Sequence, residues 1–331
     1  MALIIANGCT TIKRFRKNIM ITKPIIKVKN LTKKYGSLTA VDNISFEVAK
    51  GRIVAFLGPN GAGKTTTLEM LEGLTGRSDG QIEIYNFDPA RHAHEVKKRI
   101  GVQLQSSAYY DFLNLKELID LFASFYKKKV DALKLLAKVG LVEKRQAYVS
   151  QLSGGQKQRF AIIAALVNNP EIVFLDEPTT GLDPQARRNL WTVIKDIKKL
   201  GKTVILTTHY MEEAQVLADH ILVMDHGKIV AQGTPTQLIS QLPNPYRIVV
   251  KTERCLGDAA LKKMPGVVSV RHDTDEANGH YCLIGVTSVQ KVLPALLDKM
   301  KDAKIDFTDL EIVPSNLEDV FLSLTGEALR D

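Results

Sequence analysis

Cysteine is scarce. Cys9, Cys255 and Cys282 are the only three among 331 residues, far apart and without a CxxC pair. This spacing excludes a disulfide framework and argues against a structural zinc site, and it fits a reducing compartment. Long apolar runs are also missing. A membrane-spanning helix needs ~20 such residues, and one of the longest runs here, Phe160 to Val167 with Ala161 its second residue, has eight. Acidic residues are outnumbered, with 36 Asp+Glu against 45 Lys+Arg and a net charge of +9. The excess is uneven: residues 247–331 hold 11 basic and 14 acidic side chains, so the first 246 residues carry +12. Such a balance suits nucleic acid, an anionic membrane surface or simply a solvated lysine-rich face. The 45% hydrophobic and 24% charged composition is that of an ordinary globular chain. Its length fits about two domains.

The first 19 residues contain Lys13, Arg14, Arg16 and Lys17 and no acid. Their charges follow the short apolar patch Ala2–Ala6, whereas a secretory signal places charge before its apolar core. Residues 1–24 are therefore read as an N-terminal extension, either a disordered tail or the result of an upstream start codon, with Met20 the true start.

Regular patterning begins at Ile25. Ile25–Lys29 and Ile44–Val48 alternate as strands do. Ile53–Leu57, Ile172–Leu175 and Thr203–Leu206 are short continuous apolar runs, as strands buried on both faces require. Helices are predicted from Lys64, over about Gln156–Asn168 and over about Pro184–Leu200. Strand, helix and strand in this order mean a parallel α/β core. Arg91–Lys144 has helical composition and no strong strand after Leu104, so it reads as a helical insertion. Pro243 and Pro245 mark a boundary. Beyond it the order is strand (Arg247–Lys251), helix, strand (Val267–Arg271), strand (Tyr281–Val286), helix (Val289–Lys301), strand (Asp306–Val313), helix. This βαββαβ order has a ferredoxin-like form.

Gly58, Pro59, Asn60, Gly61, Ala62, Gly63, Lys64, Thr65 and Thr66 match GxxxxGK[ST] between a buried strand and a helix. Glycines let successive backbone N–H groups curl around phosphate oxygens, and the helix directs its positive end at the anion. Lys64 is expected to reach the β- and γ-phosphates, and the Thr65 hydroxyl to meet Mg2+. Asp176 and Glu177 directly follow a buried strand. Carboxylates at that strand end suit Mg2+ (Asp176) and general-base activation of the attacking water (Glu177).

Leu152, Ser153, Gly154, Gly155 and Gln156 then form LSGGQ. With the phosphate loop upstream and the Asp-Glu pair downstream, the chain resembles the ATP-binding-cassette (ABC) ATPases. It is most similar to the single-cassette drug-export branch of the daunorubicin and multidrug type. The resemblance covers about Ile25–Leu242 and a C-terminal block, Asp309–Asp331. It implies an α/β fold, a P-loop ABC ATPase core with a largely parallel mixed sheet and a helical signature subdomain (about 105–160). The core would span 25–243 and a small α+β regulatory or accessory domain 244–331.

The same resemblance assigns further roles. Tyr35 matches the aromatic that stacks on adenine. Gln105 matches the glutamine that senses Mg2+ and links to the membrane partner, with Gln103 the rival two residues away. Asp183, in Gly181-Leu182-Asp183-Pro184, matches the loop that crosses the dimer interface, and His209 the histidine that contacts the γ-phosphate. His220 and His226 have no such warrant. Ser153, Gly154, Gly155 and Gln156 would close on ATP held by Lys64 of a second copy, giving a head-to-tail homodimer. One departure is Asn86, where the family often has Gly; Asn tolerates a left-handed backbone.

The implied function is the ATP-hydrolysing subunit of an exporter, using ATP and Mg2+. It would be cytoplasmic and peripheral on the inner face of the membrane through a separate permease, with no nucleic acid expected. The alternative is a soluble non-transport ABC ATPase in translation or regulation. Translation types usually join two cassettes, and this chain has one P-loop and one signature. Chromosome types insert a long coiled coil, and here Gly63 and Ser153 are only 90 positions apart.

Overall fold

The computed structural model describes residues 24–104, 109–126, 129–253, 256–275 and 279–325. The N-terminal extension therefore lies outside the described residues, except for Pro24, as does Gln105. Strands β1 (Pro24–Tyr35) and β2 (Leu38–Ala49) form an antiparallel hairpin. Its alternation is legible only in pieces because the register shifts between Val28 and Leu31 and again at Lys33. Asn30 and Asn43 take left-handed φ values of 49° and 52° at these irregularities. β3 (Ile53–Leu57) is buried throughout and runs through the phosphate loop into α1 (Lys64–Glu72). β4 (Asp79–Ile84) then returns to pair with β1. β4 ends at Ile84, after which Tyr85 and Asn86 turn left-handed, at φ 51° and 65°. Asn86 thus occupies the backbone region where glycine is easiest.

After α2 (Ala93–Lys97) comes β5 (Ile100–Gln103), then the helical insertion with α3 (Leu115–Phe125), α4 (Ala132–Lys138) and α5 (Gly154–Ala164). A capping box between Asn114 and Glu117 starts α3. α5 ends four residues short of the predicted Asn168. There the Asn168 side chain donates to the Ile100 carbonyl (2.8 Å), Asn169 turns to φ 51°, and Pro170 cannot continue a helix.

β6 (Ile172–Asp176), α6 (Pro184–Lys199), β7 (Thr203–Thr208), α7 (Met211–Leu217), β8 (His220–Asp225), β9 (Lys228–Gly233) and α8 (Pro235–Ile239) complete this part of the chain. The central sheet has the order β5-β6-β7-β3-β8-β9, parallel except for β9. Its inner parallel strands are apolar on both faces because both faces are covered, whereas the edge strand β9 is not. Ile53, Ala55 and Leu57 join the cluster beneath the helices, while Val54 and Phe56 face the β2-β1-β4 sheet.

The last part holds β10 (Tyr246–Thr252), α9 (Asp258–Lys262), β11 (Val267–Asp275), β12 (Gly279–Val286), α10 (Val289–Asp302), β13 (Phe307–Pro314) and α11 (Leu317–Thr325). Its antiparallel sheet, β11-β12-β10-β13, has the ferredoxin-like order and a cluster of its own around Ile248, Ile284 and Leu296. α11 leaves that cluster. Leu317, Val320 and Phe321 are buried in the cluster beneath the central sheet, against α7 and α8. Arg247–Asp319 (3.2 Å) and Arg271–Glu318 (3.4 Å) tie α11 back to the C-terminal sheet.

Candidate functional site

The C-terminal ends of β3, β6 and β7 bring the phosphate loop, Asp176–Glu177 and His209 together, where an open α/β sheet offers its binding crevice. Two glycines of the loop are required by close approach. A Cβ on Gly58 would lie 2.2 Å from the Met224 carbonyl oxygen, and one on Gly63 would lie 2.4 Å from that of Ala40. Gly63 also has φ 94°. Asn60 and Gly61 are exposed at the tip, Ala62 is buried beneath them, and Pro59 and Thr66 are half-buried.

Lys64 is only 4% exposed. Its ammonium donates to the carbonyls of Gly58 (2.8 Å) and Pro59 (2.9 Å) and stands 3.7 Å from Glu177 Oε1. Burial pulls its pKa below the ordinary lysine value, and the charges of Glu177 and Asp176 partly oppose this. A cation so placed gains from an incoming phosphate.

Asp176 Oδ1 accepts hydrogen bonds from Thr65 Oγ1 (3.1 Å) and from the Thr207 hydroxyl. Thr207 in turn accepts from the backbone N–H of Glu177 (2.9 Å). Glu177 has φ 46°, a strained turn for a side-chain-bearing residue, and Thr180 Oγ1 donates to its Oε2 (3.1 Å). His209 Nδ1 lies 3.4 Å from Glu177 Oε1 but in a geometry that makes no hydrogen bond, so among the described residues this buried nitrogen has no hydrogen-bond partner. Behind it, Arg187 stacks over Tyr210 at 4.0 Å, and Trp191 Nε1 donates to the buried Glu213 (3.1 Å). Burial holds the Glu213 carboxyl above its usual range, against the pull of donors from Thr208, Thr179 and Trp191.

Thr65 and Asp176 offer hard oxygen ligands one hydrogen bond apart. Among the described residues no group of three or more His, Cys, Asp or Glu could hold a metal alone. A few protein oxygens completed by substrate phosphates and water is the pattern magnesium uses, so the residues present fit Mg2+.

Ser153, Gly154, Gly155 and Gln156 lie elsewhere. Ser153 caps α5 in a capping box: its Oγ accepts from Gln156 N (3.4 Å), and Gln156 Oε1 accepts from Ser153 N (3.0 Å). These residues share a cavity of about 220 Å³ with Gly181, Leu182 and Asp183. The Asp183 carboxylate caps α6, accepting from Gln185 N (2.9 Å) and Ala186 N (2.8 Å). Among the described residues no hydrogen bond or ion pair joins this cavity to Lys64, Asp176 or Glu177.

Tyr35 is 47% exposed on the β1–β2 hairpin, with Lys33 Nζ 4.6 Å from its ring. Gln103 is buried; its Nε2 donates to the Leu104 carbonyl (2.8 Å) and lies 3.5 Å from that of Asp176. Thr207, Thr180 and Glu213 belong to no motif that the sequence displays. A hint for Thr207 was a polar residue ending an apolar run wholly buried in the sheet.

A profile of the family described as "ABC transporter" matches residues 41–180, which contain the phosphate loop, the signature and Asp176–Glu177. The Nod factor export ATP-binding protein I of Ralstonia nicotianae is 36% identical over 315 residues, covering 93% of this chain and 96% of the relative. The linearmycin resistance ATP-binding protein LnrL of Bacillus subtilis is 35% identical, covering 93% and 100%. The daunorubicin resistance ATP-binding protein DrrA3 of Streptomyces coeruleorubidus is 35% identical, covering 92% and 97%. Among solved structures, an ATP-binding subunit of an ABC transporter superposes with a TM-score of 0.58 at 27% identity, over 66% of this chain and 92% of that one. A dimeric bacterial ABC transporter cassette gives 0.57 at 28%, over 63% and 98%.

Proposed function

The chain belongs to the ABC transporter family of ATP-hydrolysing cassettes, and from that premise we propose that it powers an exporter as a head-to-tail homodimer working on a separate membrane-spanning subunit. Residues 25–243 would form the ABC domain, with the helical subdomain at about 105–160, and 244–331 an accessory domain. One observation carries the dimer. The phosphate loop with its carboxylates and the Ser153–Asp183 cavity are separate places in one chain, although both have the chemistry to hold phosphate.

Lys64 and the loop N–H groups would bind the phosphates of ATP, with Tyr35 against the adenine. Ser153 and Gly154 at the start of α5 would meet the same γ-phosphate from the second copy, with Asp183 at the joint. Thr65 and Asp176 would hold Mg2+, which when bound would neutralise phosphate charge; Gln105 is the remaining candidate ligand. Glu177 would take a proton from the attacking water, and His209 Nδ1, without a hydrogen-bond partner among the described residues, would answer a γ-phosphate oxygen.

The membrane partner is supported by a groove of about 420 Å³ between the central sheet and the helical insertion. Tyr110, Phe112 and Phe125 on that insertion are 63%, 91% and 66% exposed. Of these, Phe125 lines the groove itself, and exposed apolar side chains beside a groove favour a contact surface. No helix among the described residues is long and apolar enough to cross a membrane. The relatives named for export and resistance favour an outward pump, peripheral on the inner membrane face.

The test is Glu177→Gln. It is expected to bind ATP with Mg2+, double its mass in light scattering only when ATP is present, and lose about 10²-fold or more of its turnover. Near-normal turnover would remove Glu177 from its role. A monomer at saturating ATP would remove the dimer.

A further inference from the structure

The floor of the groove beside the helical insertion holds one ionisable group that the proposed ATP chemistry does not use. Glu72 is the last residue of α1, 3% exposed, and among the described residues no hydrogen bond or ion pair reaches its carboxyl. The walls around it are mainly apolar and aromatic, with Leu104, Tyr109, Phe122, Phe125 and Tyr126; the buried Asn168 amide also lines the groove, donating to the Ile100 carbonyl. Lys97 also lines the groove, but it is exposed and makes no ion pair with Glu72.

A buried carboxyl without a partner is costly as an anion. Burial, with the charges of Asp176 and Glu69 adding to it, pushes the Glu72 pKa up to about 8. What such a floor lacks is a cation. What its walls favour is an alkyl or guanidinium stem laid against aromatic rings.

We propose that the groove docks a cytoplasmic segment of the membrane-spanning partner that inserts one arginine or lysine past the aromatic wall to pair with Glu72. This names the recognition chemistry of the partner and rests on the exporter-subunit reading. The pair would sit at the far end of the helix that begins at Lys64, about 12 Å along its axis. Partner engagement would thus bear directly on the helix that carries the phosphate loop.

The experiment uses the full chain and, as probe, the membrane-spanning protein that co-purifies with it from detergent-solubilised native membranes. Glu72→Gln keeps the shape and removes the ability to ionise beside a cation. Its association is expected to weaken about tenfold or more, with ATP affinity retained as the check on folding. Glu72→Lys is expected to weaken it further and to recover when one basic residue of the partner's cytoplasmic segments is changed to Glu. Undiminished association of both variants would overturn the inference, as would failure of every such basic-to-acidic change to restore Glu72→Lys. So would a Lys97→Ala variant as defective as Glu72→Gln, which would assign the cation to this chain. If the wild-type chain brings down no membrane-spanning protein, the exporter reading falls and this inference with it. If it does and the Glu72 variants match it, only this inference falls.

Discussion

Individual side chains divide by how plainly the sequence announces them. Lys64, Thr65, Asp176 and Glu177 are legible because phosphate and metal chemistry demands those types at those spacings, and the fold brings them to adjacent strand ends. Thr207 is not, because a threonine at a strand end looks like any β-former until Asp176 and the Glu177 N–H are seen to share its hydroxyl. Glu72 is not, because on a helix a glutamate reads as a solvated residue, and only tertiary packing buries it. Its burial has a measurable consequence. Its folded-state pKa, about 8, lies above the ordinary 4.5. The folded chain therefore keeps a proton that the unfolded chain has released across that window. Stability falls as pH rises through it, by on the order of 1 kcal/mol per pH unit, and levels off above the folded pKa. Glu72→Gln removes this slope. Without Mg2+, its melting temperature is expected to gain on the wild type from about pH 5 to about pH 8 and no further. A gap that is constant across the range would show that Glu72 titrates normally.

Among the elements, the buried parallel strands β3, β6 and β7 are legible to within two residues, since continuous apolar runs flanked by turns have few other uses, whereas β5, inside a stretch that reads as helical, and β8 are not. The order of the C-terminal strands and helices was equally legible from alternation between proline and turn signals. The long β1 and β2 were not, because bulges at Asn30 and Asn43 break the period of two on which such readings depend. The seat of α11 was also beyond reach. Its amphipathic pattern shows that one face is buried, not which cluster receives it, and it packs beneath the central sheet rather than on the neighbouring C-terminal one. This ties the stability of the ATP-binding part to the chain's last described helix. Phe321→Ala is expected to cost about 3 kcal/mol or more, lowering the main unfolding transition that nucleotide binding raises. A drop confined to a separate transition of the C-terminal sheet, with the nucleotide-sensitive one unmoved, would contradict that placement.

For the whole molecule, the net charge of +9 first admits nucleic acid as a partner. The family and the aromatic groove above a buried carboxyl turn attention to a membrane protein instead. The two separate phosphate-competent places turn it to a second copy. The central claim is that Ser153 of one copy completes the site built on Lys64 of the other. Its most direct measurement is ATP hydrolysis by a mixture of two inactive variants, Lys64→Ala and Ser153→Arg. Mixed dimers contain one site in which an intact phosphate loop faces an intact signature. Each variant alone is expected to be inactive, and the mixture to regain part of the wild-type rate. A mixture as inactive as its components, while both variants still fold and Ser153→Arg still binds ATP, would contradict it.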